Sequence, residues 1–323
     1  MMPRLLLADR VKGPRDSFLV PLLPALRRHY DVRFVSLPPG DALAQAIGDA
    51  DIVWLEWCWD HAVWATQSGA LHGKPCILRL HSIEALQTDF PARTDWSQVT
   101  HLITVGDDIA ALLQERFPAI AGAVPISIVP NGIDLNRFAA GDPDRYRIAW
   151  VGHVEPKKNP MLLLQIAHAV HLCDARFSFH VAGPCTDVRT LRYTQRLVPA
   201  LGLNGAIRFY GPVADMPAWY ADKGVLLSTT MYESFGMNIG EAMAVGAFPV
   251  VHDFPGADLL WPTECLFSSI EEAVALIRSA RPGLYRDWVA QRYALEHQEA
   301  AVLRVLDQAA AGTRTVQAAP ERA

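Results

Sequence analysis

Val225-Leu-Leu-Ser-Thr-Thr-Met-Tyr-Glu-Ser-Phe-Gly-Met-Asn-Ile-Gly-Glu-Ala-Met-Ala-Val-Gly-Ala-Phe-Pro-Val-Val251 reads as one strand–loop–helix–strand unit. Residues 225–228 and 248–251 are short apolar runs of the length and composition of buried strands. A helix is expected to begin around Gly236–Met237. Gly246 is placed to end it, because glycine takes the left-handed conformation that follows a helix at little cost. Two buried apolar strands separated by a helix read as members of a parallel sheet covered on both faces.

The same rhythm extends in both directions. Upstream, strands are expected at residues 5–8, 32–36, 52–55, 76–80, 102–105 and 126–129; the series restarts at 148–151, 177–182 and 207–210 before reaching the quoted unit. Helical stretches follow several of them, including 159–171 and 187–198. Continuous apolar strands separated by helices mean parallel sheets covered on both faces. Two such series give the expected fold class: α/β, with two doubly wound Rossmann-like domains facing a cleft. The turn signals Asn131-Gly132 and Gly141-Asp142-Pro143-Asp144 place the boundary within 130–146. The expected divisions are 1–140, 141–285, a C-terminal helix 286–311 crossing back to the first domain, and a disordered polar tail 312–323.

At 323 residues, half of them hydrophobic, each series can bury a core of its own. The net charge of −5 lacks the basic surplus of nucleic-acid binders, so no nucleic-acid partner is expected. Cys58, Cys76, Cys173, Cys185 and Cys265 are scattered and odd in number, with no CxxC pair or Cys/His cluster. Neither a disulfide frame nor a metal site is suggested, and a reducing cytoplasm is the expected compartment. The apolar run before Asp9 is too short for a signal peptide, and Pro21 and Pro24 interrupt the next one, so a soluble chain is expected. Lys12, Arg15, Arg27 and Arg28 read as a solvated face, or alternatively as a weak peripheral membrane contact.

Ligands of open α/β sheets bind beyond the carboxyl ends of the strands, so the loops there carry the function. In the quoted unit, the start of the helix offers unpaired amides and a positive dipole end, and Phe235, Gly236, Met237 and Asn238 would aim them at a diphosphate or at sugar hydroxyls. Two carboxylates beside a phosphate are unusual unless they hold hydroxyls, which assigns Glu233 to a sugar and Glu241 to a ribose. The other reading makes both ordinary acids of a first helical turn. In Trp150-Val-Gly-His-Val-Glu-Pro-Lys-Lys-Asn-Pro160, two lysines precede a helix start, where cations oppose the dipole. Either an anion explains them, with Lys158 on the phosphate and His153 beside it, or they form a solvated loop. His81 follows the 76–80 run at a strand end and is either structural or part of the site. Glu56, Trp57, Trp59, Asp60 and His61 crowd another strand end, where aromatics among acids suit sugar rings as well as a core. Neither series opens with Gly-x-Gly-x-x-Gly, and a P-loop is absent, which argues against a dinucleotide oxidoreductase.

Together these segments resemble the retaining GT-B glycosyltransferases of family 4. The resemblance is carried by Glu233-Ser-Phe-Gly-Met-Asn-Ile-Gly-Glu241, similar to the family's Glu-x7-Glu motif, with the Ala-Met-Ala-Val-Gly-Ala-Phe-Pro-Val-Val that ends at Val251. Val151-Gly-His-Val-Glu-Pro-Lys-Lys-Asn159 is similar to its Gly-Arg-Leu-x-Pro-x-Lys-Gly loop. Val129-Pro-Asn-Gly-Ile-Asp134, Val181-Ala-Gly-Pro184 and Phe209-Tyr-Gly-Pro212 are similar to further family segments. The match is dense from about residue 126 to 256 and thin before that.

The resemblance implies a GT-B fold and a retaining, metal-independent transfer from a nucleotide sugar such as a UDP- or GDP-sugar, with no cofactor. The departing diphosphate would itself help to deprotonate a glycan, lipid-linked or small-molecule acceptor. It implies that Lys158 and the amides of Phe235–Asn238 take the diphosphate charge, and that His81 lies near the donor sugar. Four positions depart from the family, one of them Asp258, shortly after the loop matching Gly256-Ala257, where the family more often carries a glutamate. Its phosphate arginine is His153, its Lys-Gly is Lys158-Asn159, and its Gly-Gly loop is reduced to Lys12-Gly13-Pro14, which leaves Gly13 as the donor-side glycine. Histidine neutralises a diphosphate less than arginine does, so donor affinity is expected to fall as pH rises and the imidazole loses its proton. A noncatalytic sugar-nucleotide or glycan-binding relative, and a nucleotide-sugar epimerase of similar shape, are the competing readings.

Overall fold

A computed structural model describes residues 2–10 and 17–312. The chain divides into two compact units, one running to Gly132 and resuming from Leu295 onward, the other spanning Ile133–Ala294. Set beside the expected divisions at 140 and 285, the observed ones fall after Gly132 and after Ala294. Gly13, the Lys12-Gly13-Pro14 loop, Arg15 and the tail beyond 312 lie outside the described residues.

The first unit holds strands β1 (Arg4–Ala8), β2 (Asp31–Val35), β3 (Ile52–Glu56), β4 (Cys76–Leu80), β5 (His101–Thr104) and β6 (Ile126–Ile128) in the order β2-β1-β3-β4-β5-β6. The second holds β7 (Asp144–Val151), β8 (Ser178–Ala182), β9 (Ile207–Gly211), β10 (Lys223–Ser228), β11 (Phe248–His252) and β12 (Leu266–Phe267) in the order β12-β11-β10-β7-β8-β9. The strand pairings are parallel in both sheets. Strands β3, β4, β5 and β10 are buried along their whole length and are mostly apolar, with Glu56, Arg79, His101 and Lys223 as buried exceptions. The expected α/β class, with two doubly wound Rossmann-like units, is the one found. The order in the second unit reverses between β7 and β10, and that in the first between β1 and β3. These are the switch points at which such sheets take ligands.

Two features depart from the sequence reading. Strand β12 is only two residues long and was not expected. The helix-prone stretch 284–311 is two helices, Arg286–Tyr293 and Leu295–Ala310, interrupted at Ala294, which sits at φ −54° and ψ 142°. The cause is a distant one. Ile133 N–H donates to the Tyr293 carbonyl at 2.6 Å and Ile133 bridges Ala294, so the backbone groups that would continue the helix are engaged elsewhere. Beyond the break, Val302, Val305, Leu306 and Ala309 join Leu5, Leu7, Ile52 and Trp54 in the core of the first unit. Cys58, Cys76 and Cys265 are buried and unpaired, and burial pushes their thiols up to about 12.

Candidate active site

At the switch point of the second unit, the loops after β7 and β10 are stapled together through main chain. Thr229 Oγ1 donates to the carbonyls of Lys158 at 2.8 Å and Asn159 at 3.1 Å, and accepts from Trp150 Nε1 at 2.9 Å. Met231 N–H donates to Lys157 O at 3.0 Å. Gly183, at the end of β8, backs this platform: a Cβ there would lie inside the radius of the Gly152 carbonyl. The threonines were not singled out from sequence. Their one local signal is a Thr-Thr pair immediately after a buried strand.

The staple sets the lysines. Pro156–Lys158 forms a 3-10 turn, and Asn159 follows at φ 51°, ψ 58°, a left-handed conformation that asparagine tolerates better than most residues. Its side chain accepts from Leu162 N–H at 3.2 Å and so caps the helix Pro160–Cys173. Asparagine thus does the conformational work of the glycine expected there and adds a cap. Lys158 Nζ ion-pairs Glu233 Oε1, Lys157 Nζ lies 3.6 Å from Glu233 Oε2, and Thr230 Oγ1 donates to Glu233 Oε1 at 3.0 Å. Glu233 sits in the loop and is not an acid of the first helical turn.

The helix Met237–Val245 begins on Gly236, whose φ of 89° is left-handed and which has no side chain to cap the first turn; no acid occupies that turn. Gly246, at φ 109°, closes the helix. Asn238 Nδ2 donates to Val151 O at 3.0 Å, tying the helix start to the end of β7. Phe235 is buried against Trp261 and Tyr293, so only its main chain can serve a ligand. Glu241 is half-buried, and among the described residues no hydrogen bond or ion pair engages its carboxylate. Burial pushes it up to about 7, against the pull of Arg137. His153 is exposed on the loop after β7. The second unit therefore gathers Lys157, Lys158, Glu233 and the helix start around one strand-end platform.

His81 belongs to a different cluster, in the first unit. Its Nε2 lies 2.8 Å from Glu56 Oε1, which Arg79 Nη1 also reaches at 3.3 Å; Arg79 Nη2 bonds Asn131 as well. Trp54 Nε1 donates to Glu56 Oε2 at 3.0 Å. Glu56, Arg79 and His81 are all buried. Trp57, at φ 72°, stacks its ring 4.0 Å from that of His81, and Phe18 lies 5.5 Å away. A tryptophan at positive φ is held against its own preference, and such strain gathers at functional sites. Glu56 and Arg79 are register partners on β3 and β4; opposite charges at the ends of successive apolar runs were the available sign of this pair.

Residues 145–280 match the family described as Glycosyl transferases group 1, and this match lies wholly within the second unit. The chain is similar to the D-inositol 3-phosphate glycosyltransferase of Geodermatophilus obscurus, with 32% identity over 143 residues, covering 38% of this chain and 32% of that protein. It is 28% identical to D-inositol 3-phosphate glycosyltransferase 2 of Catenulispora acidiphila over 211 residues, covering 55% of this chain and 49% of the relative. The lipopolysaccharide core biosynthesis mannosyltransferase LpsB of Rhizobium meliloti is 30% identical over 149 residues, 42% of each. The chain thus spans between a third and a half of the length of these curated relatives. Among solved structures, Anabaena Alr3699/HepE in complex with UDP and glucose superposes with a TM-score of 0.74 at 15% identity, covering 95% of this chain and all of that one. Sucrose-phosphate synthase of Thermosynechococcus elongatus gives 0.73 at 14%, covering 96% and 100%. At these identities the likeness speaks for the fold. Among the described residues, no helix is long and apolar enough to cross a membrane.

Proposed function

We propose that this chain is a glycosyltransferase that takes a sugar from a nucleoside-diphosphate sugar bound at the β7–β10 switch point. The observation that carries the reading is the platform itself: Lys158 held by a threonine staple beside Glu233, next to a glycine-started helix with no acid in its first turn. Lysine and helix amides form a site for a diphosphate. Glu233 is left to accept sugar hydroxyls and the unengaged Glu241 carboxylate to accept those of a ribose. The match of 145–280 to a glycosyltransferase family, and relatives named as a D-inositol 3-phosphate glycosyltransferase and a mannosyltransferase, support the reaction class.

The finer proposal is a retaining, metal-independent transfer of the family 4 kind. The bond from the sugar's anomeric carbon to the diphosphate oxygen breaks, the acceptor oxygen bonds that carbon on the same face, and the acceptor proton passes to the departing diphosphate. No protein nucleophile enters. The protein's contribution is to place the partners and to stabilise charge on the leaving group through Lys158 and the helix amides. His81 is proposed as a sugar-contacting residue, and the acceptor as a glycan, a lipid-linked sugar or a small hydroxylated molecule.

The test is a thermal-shift screen of UDP- and GDP-sugars followed by turnover of the best binder, with and without acceptors. Slow hydrolysis of the donor alone supports the reading. The exposed His153, in place of an arginine, favours one rival, a noncatalytic sugar-nucleotide binder. Tight binding with no hydrolysis and no transfer to any acceptor would select that rival.

A further inference from the structure

We propose that Glu56 is a positioning residue that fixes His81 as its Nε2–H tautomer and so makes Nδ1 an obligate hydrogen-bond acceptor for a sugar hydroxyl. The words "sugar hydroxyl" rest on the proposed function; the tautomer rests on the geometry of the first unit alone.

Glu56 is wholly enclosed, and both its oxygens are engaged by donors: Arg79 and His81 on Oε1, Trp54 on Oε2. Burial works against its charge, but Arg79 and then His81 outweigh burial and hold the carboxyl below its ordinary value. An ionised carboxylate has no proton to give, so in the 2.8 Å contact His81 Nε2 must be the donor. The imidazole itself is pushed down by burial, with Glu56 opposing and Arg79 assisting. Since Glu56 already shares its charge with Arg79, it does not draw a second proton onto the ring. A neutral ring with its proton on Nε2 leaves Nδ1 as a bare lone pair.

The surroundings then select what that lone pair can meet. Trp57 lies over the ring, 4.0 Å away and tilted by 31°, and Phe18 flanks it at 5.5 Å. Among the described residues no protein group bonds Nδ1. The charged groups on the elements packed here are Glu56 on β3, Arg79 on β4 and Glu84 on the helix Ser82–Gln87, and Glu84 is itself pushed up to about 8 by burial. A ligand offering a hydroxyl donor beside an apolar C–H face fits an in-plane acceptor set among aromatic rings; a phosphate or carboxylate, which brings no proton, does not. His81 is thereby fitted to read a hydroxyl and unfitted to act as a general acid.

The experiment uses the full-length chain with its histidine rings labelled with 15N, the His81 signal being identified by its loss in His81→Phe. The expected result is one neutral species protonated on Nε2 at about pH 7 and above. Glu56→Leu, which removes the acceptor that a glutamine oxygen would still supply, should populate the other tautomer and lower turnover of UDP-glucose or GDP-mannose about tenfold, with donor affinity changed less than about twofold. A wild-type proton on Nδ1, a titration midpoint above that of an ordinary histidine, or an unaltered tautomer in Glu56→Leu would overturn the proposal. Should Glu56→Leu fail to fold, the wild-type spectra decide alone. If the tautomer is as stated but neither nucleotide sugar binds, the proposed function falls while the positioning role stands.

Discussion

The two units place charged groups at the same address, the carboxyl ends of strands beside a switch point, and treat them in opposite ways. In the first, Glu56, Arg79 and His81 are enclosed and satisfy one another. In the second, Lys157 and Lys158 share one carboxylate, Glu233, and among the described residues no hydrogen bond or ion pair engages Glu241, which burial raises to about 7. A saturated cluster has no bonding capacity left for a ligand, apart from a single atom such as His81 Nδ1. An unsaturated, half-open cluster pays for its capacity in stability. On the proposed reading, the first cluster holds one histidine in a fixed state and the second keeps its groups for the donor.

The largest effect should come from breaking the sealed cluster. Arg79→Ala leaves the Glu56 carboxylate enclosed without its strongest partner, and removing one member of a buried pair costs about 3–5 kcal/mol. Urea unfolding measures it. A loss below about 1 kcal/mol, the range of exposed pairs, would mean that solvent reaches the cluster and that the contrast between the units is false.

Lys158→Ala should do the reverse, leaving stability nearly intact and removing function. A charge-assisted bond to the donor is worth about 1.5–3 kcal/mol, roughly ten- to a hundredfold or somewhat more in donor affinity or turnover. Calorimetric titration with UDP and GDP sugars reads it. Normal binding and turnover by the variant would remove Lys158 from the phosphate role.

How much of this contrast could be read beforehand depends on the distance in sequence over which each feature is decided. Most strands of both sheets were legible because burial on two faces demands mostly apolar runs, as in residues 52–55 and 225–227. The helix start at Gly236 and its end at Gly246 were legible because each needs a left-handed backbone. The assembly of Lys158 with Glu233 was only partly so: both were singled out, but their ion pair depends on the Thr229 staple across residues far apart in the chain. Strand β12 is too short to make a pattern. The helix break at Ala294 is imposed by Ile133, and no local residue announces it.

Glu241→Gln sharpens the cost side of the comparison. With its folded value raised to about 7 and its unfolded value near that of an ordinary glutamate, the folded state holds a proton that the unfolded state has lost across the interval between them. Glu241's contribution to stability is therefore full below the unfolded value and declines as pH rises, levelling off above about 7. Glutamine carries no charge and removes that slope. At pH 8 the variant should be more stable by about 1–2 kcal/mol, discounted because the group is half-open, while binding nucleotide more weakly. Equal pH–stability profiles for variant and wild type would mean that Glu241 is well solvated and carries no such penalty.

The smallest effect concerns Asn159, where the chain carries asparagine in place of the glycine the resemblance implies. Two terms oppose each other there. Glycine would adopt the φ of 51° without strain, but it would lose the side-chain cap on Leu162 N–H. Each is worth a few tenths of a kcal/mol to about 1, so Asn159→Gly should change stability by less than about 0.5 kcal/mol. Asn159→Ala keeps neither advantage and should cost about 1–2 kcal/mol, with the Lys158 carbonyl and its threonine staple displaced along with it. Thermal unfolding of the two variants side by side separates the terms. An alanine variant as stable as the glycine one would show that neither the left-handed turn nor the cap holds the lysine loop, and that the threonine staple alone sets where Lys158 points.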